Sequence, residues 1–218
     1  MEEQVSVKLR HETGPRLPLR SRLLRLGFCL ARDILFSVRI VGCGNIPASN
    51  AIVVANHLSW IDHLLLWTVL PAEPRLILLG AGQSNNSGFK DWLLRTFGGI
   101  IVFERGASWV GKDTLRKPVQ TLENGASLLL FPEGNVGPNE GELGPLLKGV
   151  GHIVLRAPAA CPVLPIALSG VKELYWRKEM QVIIGSPLHV KVEGLDHRHA
   201  VDAAVNQVES ALKANIPP

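Results

Sequence analysis

A histidine and an aspartate stand five positions apart, His57 and Asp62, between the apolar run AIVVAN and the stretch HLLLWTVL. The first run has the length and composition of a buried strand, and SWIDHLLLWTVL has helical spacing. Ser59 is then the expected N-cap, and Asp62 falls in the first helical turn. A carboxylate there can reach back to the imidazole, hold one ring nitrogen protonated and leave the other as a base. No G-x-S-x-G elbow occurs anywhere in the chain, so the pair lacks a serine nucleophile. A substrate hydroxyl can take the serine's place, with His57 removing its proton as it attacks an activated acyl carbon. The same two residues also fit a plain capped helix with a satisfied histidine. Metal ligation is not expected: the pattern H-x-H-x-D-H requires histidines where this chain has Leu58 and Trp60.

Two further stretches place polar groups at strand ends. SLLLFPEGNVGPNEG ends an apolar run in Pro132, Glu133 and Gly134, followed by a turn-rich segment with Asn135. Glu133 can accept hydrogen bonds from a polyol, orient a basic group, or cap neighbouring backbone. In GGIIVFERG, Arg105 follows a buried run and offers a planar cation to a phosphate or carboxylate. Ligand-binding groups of α/β sheets gather at the carboxyl ends of strands.

The elements that must position these groups follow a clear rhythm. AIVVAN, RLILLG, IIVFE, SLLLFP and VLPIAL read as buried strands, and MQVIIGSPLHVKV adds one or two more. Between and after them, NSGFKDWLLRTFG, WVGKDTLRKPVQTLENG, KGVGHIVLRA and HRHAVDAAVNQVESALKAN carry helical spacing, with Pro118 limiting or kinking the second of these. The aromatic stripe Phe89, Trp92, Leu93 and Phe97 is expected in the core. The expected fold is an α/β sheet flanked by helices. At 218 residues the chain suits one sizeable domain, and cysteines 29, 43 and 161 match no metal-ligand spacing. Free thiols in a reducing compartment are expected.

The charge divides the chain into a basic arm, residues 1–42, and a body, residues 43–218. The arm holds eight Lys/Arg against four Asp/Glu, whereas the body holds fifteen of each. LRSRLLRLGFCLARDILFSVRIVG within the arm has helix-forming composition, and Arg25, Arg32 and Arg39 recur every seven residues. No apolar window is long enough to span a bilayer, and arginines interrupt any signal-peptide core. The expectation is an amphipathic helix on an anionic membrane surface, its arginines toward lipid. A nucleic-acid partner is not expected.

Taken together, the blocks resemble the glycerolipid acyltransferases, the group that includes 1-acylglycerol-3-phosphate acyltransferase. NHLSWID matches the family's N-H-x4-D block, GGIIVFERG its second, FPEG its third, and VLPIAL with Pro165 its fourth; LLKGVGHIVLRA is similar to its Lys-Gly helix. The resemblance runs over roughly residues 45–185 in order and spacing. It implies a mixed sheet flanked by helices, a membrane-docking N-terminal helical element, an acyl-CoA or acyl-carrier-protein thioester donor and a lysophospholipid acceptor. No cofactor or metal is implied beyond the donor, and the expected place is the cytoplasmic face of a membrane as a peripheral protein. Carried over by position, His57 is the general base, oriented by Asp62. Arg105 binds phosphate, and Glu133 and Gly134, with Asn135, belong to the acceptor and oxyanion region. Pro165 shapes the pocket.

The chain departs from the family where F-P-E-G-T-R-S commonly stands: here Asn135 and Val136 replace the threonine and arginine. A charge-assisted hydrogen bond contributes about 1.5–3 kcal/mol, so losing the arginine weakens a phosphorylated acceptor by one or two orders of magnitude. Lys148 is a candidate replacement. The alternatives are a non-phosphorylated acceptor, such as a lyso-amino-lipid, and a catalytically silent lipid-surface binding protein.

Overall fold

The computed structural model describes residues 19–82, 100–104, 115–137 and 139–217. Arg105 and the stripe from Phe89 to Phe97 lie outside them. The elements run α1 (Leu19–Leu35), β1 (Phe36–Val41), β2 (Ile52–Ala55), α2 (Asp62–Val69), β3 (Leu76–Gly82), β4 (Ile100–Glu104), α3 (Arg116–Glu123), β5 (Ser127–Leu130), α4 (Gly149–Arg156), β6 (Val163–Ser169), β7 (Lys178–Ile184) and α5 (His197–Lys213). The strands form one seven-stranded sheet in the order β1-β7-β6-β2-β5-β3-β4. Every pairing is parallel except β6 with β7. This is the expected mixed sheet flanked by helices.

The central strands explain the layering. All four residues of β2 are buried, and so are all four of β5. Alternation sends Val53 and Ala55 to one face, where they meet Leu58, Leu65 and Leu66 of the segment around α2. Ile52 and Val54 point the other way, onto Leu122 of α3, Ile153 of α4 and Val208 and Leu212 of α5. Strands covered on both faces read as continuous apolar runs, which is why they are visible in the sequence. Pro118 sits in the first turn of α3, where a missing N–H removes no helical hydrogen bond.

β2 lies between β5 and β6, while the chain leaves it for β3 and crosses from β5 to β6. The connections thus diverge around the carboxyl ends of β2 and β5, the place where a crevice opens in such sheets. Asn56 closes the end of β2: its amide donates to the Leu168 carbonyl at 3.0 Å and accepts from the Leu168 N–H at 2.8 Å. Both ends of a fully buried side-chain amide are thereby satisfied, and the residue after it has a fixed origin.

Three expectations need correction. Residues 36–41, assigned to the arm, are an edge strand of the body, paired in register with β7 from Phe36 opposite Lys178. Their alternating half-buried and exposed pattern is that of a strand with one face on the core, so Arg39 does not share a helical stripe with Arg25 and Arg32. The face of α1 is also reversed. Arg22 pairs with Glu73 at 2.6 Å, Arg25 donates to the Leu70 carbonyl and lies over the Trp67 ring, and Arg32 donates to the Thr68 hydroxyl at 3.2 Å. Leu24 and Phe28 pack on Trp67 beside them. The outward stripe is Leu19, Leu23, Leu26, Leu30 and Ile34, each more than half exposed. The arginines face the protein because α2 and the turn after it offer carbonyls, a carboxylate and an indole. Finally, Ser59 is not the N-cap of α2, which is Ile61 without a side-chain cap bond.

Among the described residues no helix is long and apolar enough to cross a membrane. All three cysteines are free.

Candidate active site

His57 emerges from β2 with its imidazole 21% exposed, and Asp62 enters α2 completely buried. Their side chains meet at 2.8 Å, Nδ1 to Oδ2. The same Oδ2 accepts the main-chain N–H groups of Leu58 at 2.7 Å and Ser59 at 2.8 Å. Asp62 therefore shapes the turn between strand and helix and holds the ring in a single act. Asp62, the first residue of α2, thus gives the N–H groups of the loop ahead of the helix an acceptor, and no side chain caps the helix itself. Its other oxygen, Oδ1, is buried and meets no hydrogen-bond partner among the described residues. A carboxylate in that setting favours a proton on Nδ1 and leaves Nε2 as the free nitrogen.

The second wall comes from β5. Phe131 stacks on the imidazole with ring centroids 4.3 Å apart and planes 20° from parallel. Two residues on, Glu133 accepts the His57 main-chain N–H at 2.9 Å on Oε1 and the Gly144 N–H at 2.9 Å on Oε2. The Gly137 N–H donates to the His57 carbonyl at 2.6 Å. Residues 76 positions apart are thus joined, because β2 and β5 are neighbours in the sheet. Gly134 needs to be glycine, with φ +74° and Leu147 2.5 Å from where its Cβ would be, and a Cβ on Gly144 would stand 2.9 Å from Glu133 Oε2 and push that carboxylate aside.

Of the sequence-derived candidates, the structure brings together His57, Asp62 and Glu133. Of the three roles open to Glu133, its contacts are those of a backbone cap. Gly134 is the turn-former next to it, and its N–H donates to the Phe131 carbonyl at 3.0 Å. Asn135 and Val136 are exposed on the same turn. Lys148 precedes α4, and its ammonium lies 2.6 Å from Asp202 of α5. Pro165 is a buried residue of β6, opposite Val54 of β2. Phe131 and the locking role of Asn56 were not anticipated; their signals were an aromatic directly before P-E-G and an asparagine directly before the histidine.

His63, the residue after Asp62, is partly buried, and burial together with the nearby His57 pushes its pKa down to about 4. It is neutral at neutral pH and adds no charge to the site.

A family model described as Acyltransferase matches residues 37–169, more than half of the chain. The chain belongs to the acyltransferase family. Human 1-acyl-sn-glycerol-3-phosphate acyltransferase alpha is 29% identical to this acyltransferase-family chain over 172 residues, covering 75% of this chain and 57% of the relative. A lyso-ornithine lipid O-acyltransferase of Pseudomonas aeruginosa is 29% identical over 167 residues, covering 76% and 60%. The matches thus span less than two thirds of the length of either relative. Among solved structures, the 1-acyl-sn-glycerophosphate acyltransferase PlsC of Thermotoga maritima superposes with a TM-score of 0.66 at 21% identity, covering 90% of this chain and 78% of that one. That likeness establishes the fold.

Proposed function

We propose that the protein transfers a fatty-acyl group from an acyl-CoA or acyl-carrier-protein thioester to a hydroxyl of a lysophospholipid, 1-acylglycerol-3-phosphate-like, at a membrane surface. The observation that carries this reading is the His57–Asp62 pair, its Nδ1 held by the carboxylate at 2.8 Å, in a family of acyltransferases. In the proposed reaction Nε2 takes the proton of the acceptor hydroxyl as its oxygen bonds to the thioester carbonyl carbon. Asp62 stabilises the imidazolium so formed. Collapse of the tetrahedral intermediate breaks the carbon–sulfur bond, and the proton on His57 passes to the departing thiolate. The thioester is already activated, so placing the hydroxyl and moving one proton supply much of the acceleration. Glu133 acts in this reading by fixing the main chain of His57.

Membrane docking is assigned to the outward apolar stripe of α1. Five large apolar side chains held in water on one helix face mark an interaction surface.

A second acceptor class is favoured by one observation. Val136, 52% exposed on the turn after Glu133, stands where the family commonly has an arginine, and one relative is named for a lyso-ornithine lipid. Thiol release from palmitoyl-CoA or a palmitoylated carrier protein, measured with lysophosphatidic acid, with lyso-ornithine lipid and with no acceptor, separates the readings. Stimulation by lysophosphatidic acid is expected. Stimulation by lyso-ornithine lipid alone transfers the assignment to the second class, and no stimulation by either overturns both.

A further inference from the structure

The turn between β6 and β7 carries Leu174, Tyr175 and Trp176, which are 40%, 59% and 65% exposed. Nothing in the proposed chemistry uses them. The turn is nonetheless built: the Lys178 N–H donates to the Tyr175 carbonyl at 3.1 Å, and Arg177 is held at φ 59°, a backbone region that residues with a Cβ seldom adopt. Holding an indole and a phenol in water on a fixed turn is unfavourable unless something covers them.

The topology places this turn. β6 runs parallel to β2 and β7 returns antiparallel, so residues 170–177 lie at the same carboxyl edge as His57 and Glu133. β1 is parallel to β7 with Phe36 opposite Lys178, which brings the end of α1 to that edge too. The contact is direct: the Arg177 N–H donates to the Leu35 carbonyl at 2.7 Å, and its guanidinium to the Asp33 carbonyl at 3.4 Å. Ile34 and Leu35, both exposed, end the outward stripe of α1 there. The turn is tied to the site segment as well, because Glu140 accepts the N–H groups of Gly170 at 2.7 Å and Lys172 at 2.9 Å.

We propose that the Leu174–Tyr175–Trp176 turn is a second membrane anchor, inserting into the headgroup layer of an anionic bilayer so that the edge bearing His57 faces the lipid. The inference rests on the membrane-surface reading above and extends it from one helix to a two-point surface. Tyrosine and tryptophan suit that layer because each presents an apolar body and a polar tip. Lys172, Arg177 and Lys178 stand beside these rings and are balanced by Glu173, Glu179 and the docked Glu140, so insertion of the turn rests on its aromatic side chains rather than on net charge. With the turn and α1 both seated, a lipid hydroxyl reaches His57 without leaving the interface.

The test uses the full chain and phosphatidylcholine vesicles with and without phosphatidylglycerol, read by co-sedimentation. Tyr175→Ser/Trp176→Ser should lower partitioning onto the phosphatidylglycerol vesicles on the order of tenfold or more, with an unchanged melting temperature, because both side chains are exposed. Amide hydrogen exchange of the wild type over residues 172–178 should slow when those vesicles are added. Wild-type binding by the folded variant, or exchange that vesicles leave unchanged, overturns the proposal. Neither readout involves acyl transfer. A wild type that binds vesicles through this turn but transfers no acyl group refutes the proposed chemistry alone, and a variant in α1 that loses binding while the turn variant keeps it refutes the second anchor alone.

Discussion

Replacing Glu133 by alanine removes the acceptor of two main-chain N–H groups at once, those of His57 and Gly144, each held at 2.9 Å. Hydrogen bonds to a charged group contribute about 1.5–3 kcal/mol each, and both donors sit in a partly buried seam. The fold should therefore lose roughly 3 kcal/mol, the low end of the sum because the seam is only partly buried, and His57, no longer fixed through its own backbone, should lose its placement. If one of those bonds is expressed in the transition state, turnover falls by about ten- to a hundredfold. Glu133→Gln keeps the shape but presents an NH2 group to one of the two N–H donors, so about half of the loss should remain. The assay is acceptor-dependent thiol release with the acceptor concentration varied, beside a thermal melt. A positioning Glu133 predicts a lower kcat and a lower Tm with the acceptor KM nearly unchanged. A raised KM with kcat and Tm at wild-type values would refute the reasoning and return Glu133 to the acceptor.

The sequence disclosed the strands better than it disclosed their partners. The buried runs are legible because strands covered on both faces must be apolar throughout, and three of the five, those of β2, β5 and β6, are seen to bury their side chains. β1 escaped because FSVRIV follows α1 with no glycine or proline between Leu35 and Phe36, and because Arg39 continued a seven-residue arginine spacing. The alternation of Phe36, Val38 and Ile40 with Ser37 and Arg39 was the period-two signal that competed with it. Which way α1 faces was not legible, since a stripe of arginines and a stripe of leucines can each be the outer one. The choice is made by Glu73, Leu70, Thr68 and Trp67, residues that sequence spacing does not connect to α1. The His57–Asp62 pair was local enough to be read directly, whereas the partner of Glu133 is a main-chain N–H that only the β2–β5 pairing brings near.

Other consequences can be checked separately. Asp62→Asn should lower kcat by roughly two to four orders of magnitude, because the amide cannot stabilise an imidazolium and one of its faces presents donors to donors; activity within a few-fold of wild type would contradict the role given to Asp62. In α1, Leu23→Ser/Leu26→Ser/Leu30→Ser should reduce vesicle binding by about three orders of magnitude or more, from roughly 1.5–3 kcal/mol for each fully buried apolar side chain, whereas Arg25→Gln/Arg32→Gln should lower the Tm by several degrees and leave vesicle binding in place. The opposite pattern would put the arginines on the lipid. His63, with its pKa pushed from 6.5 down to about 4, refuses in the folded state a proton that the unfolded chain accepts. Stability contributed by this residue is therefore lost as pH falls from about 6.5 toward 4, by up to ~3 kcal/mol, and His63→Gln should flatten that part of a Tm-against-pH curve. Superimposable wild-type and variant curves would deny the burial effect.

The central claim is tested most directly by His57→Ala, in acceptor-dependent thiol release from palmitoyl-CoA with the acylated product identified. Asp62 keeps the Leu58 and Ser59 N–H groups in this variant, so the turn should hold and the melting temperature should change little. Loss of activity by two orders of magnitude or more, with vesicle binding retained, is the predicted result. Product formed at the wild-type rate by His57→Ala would contradict it.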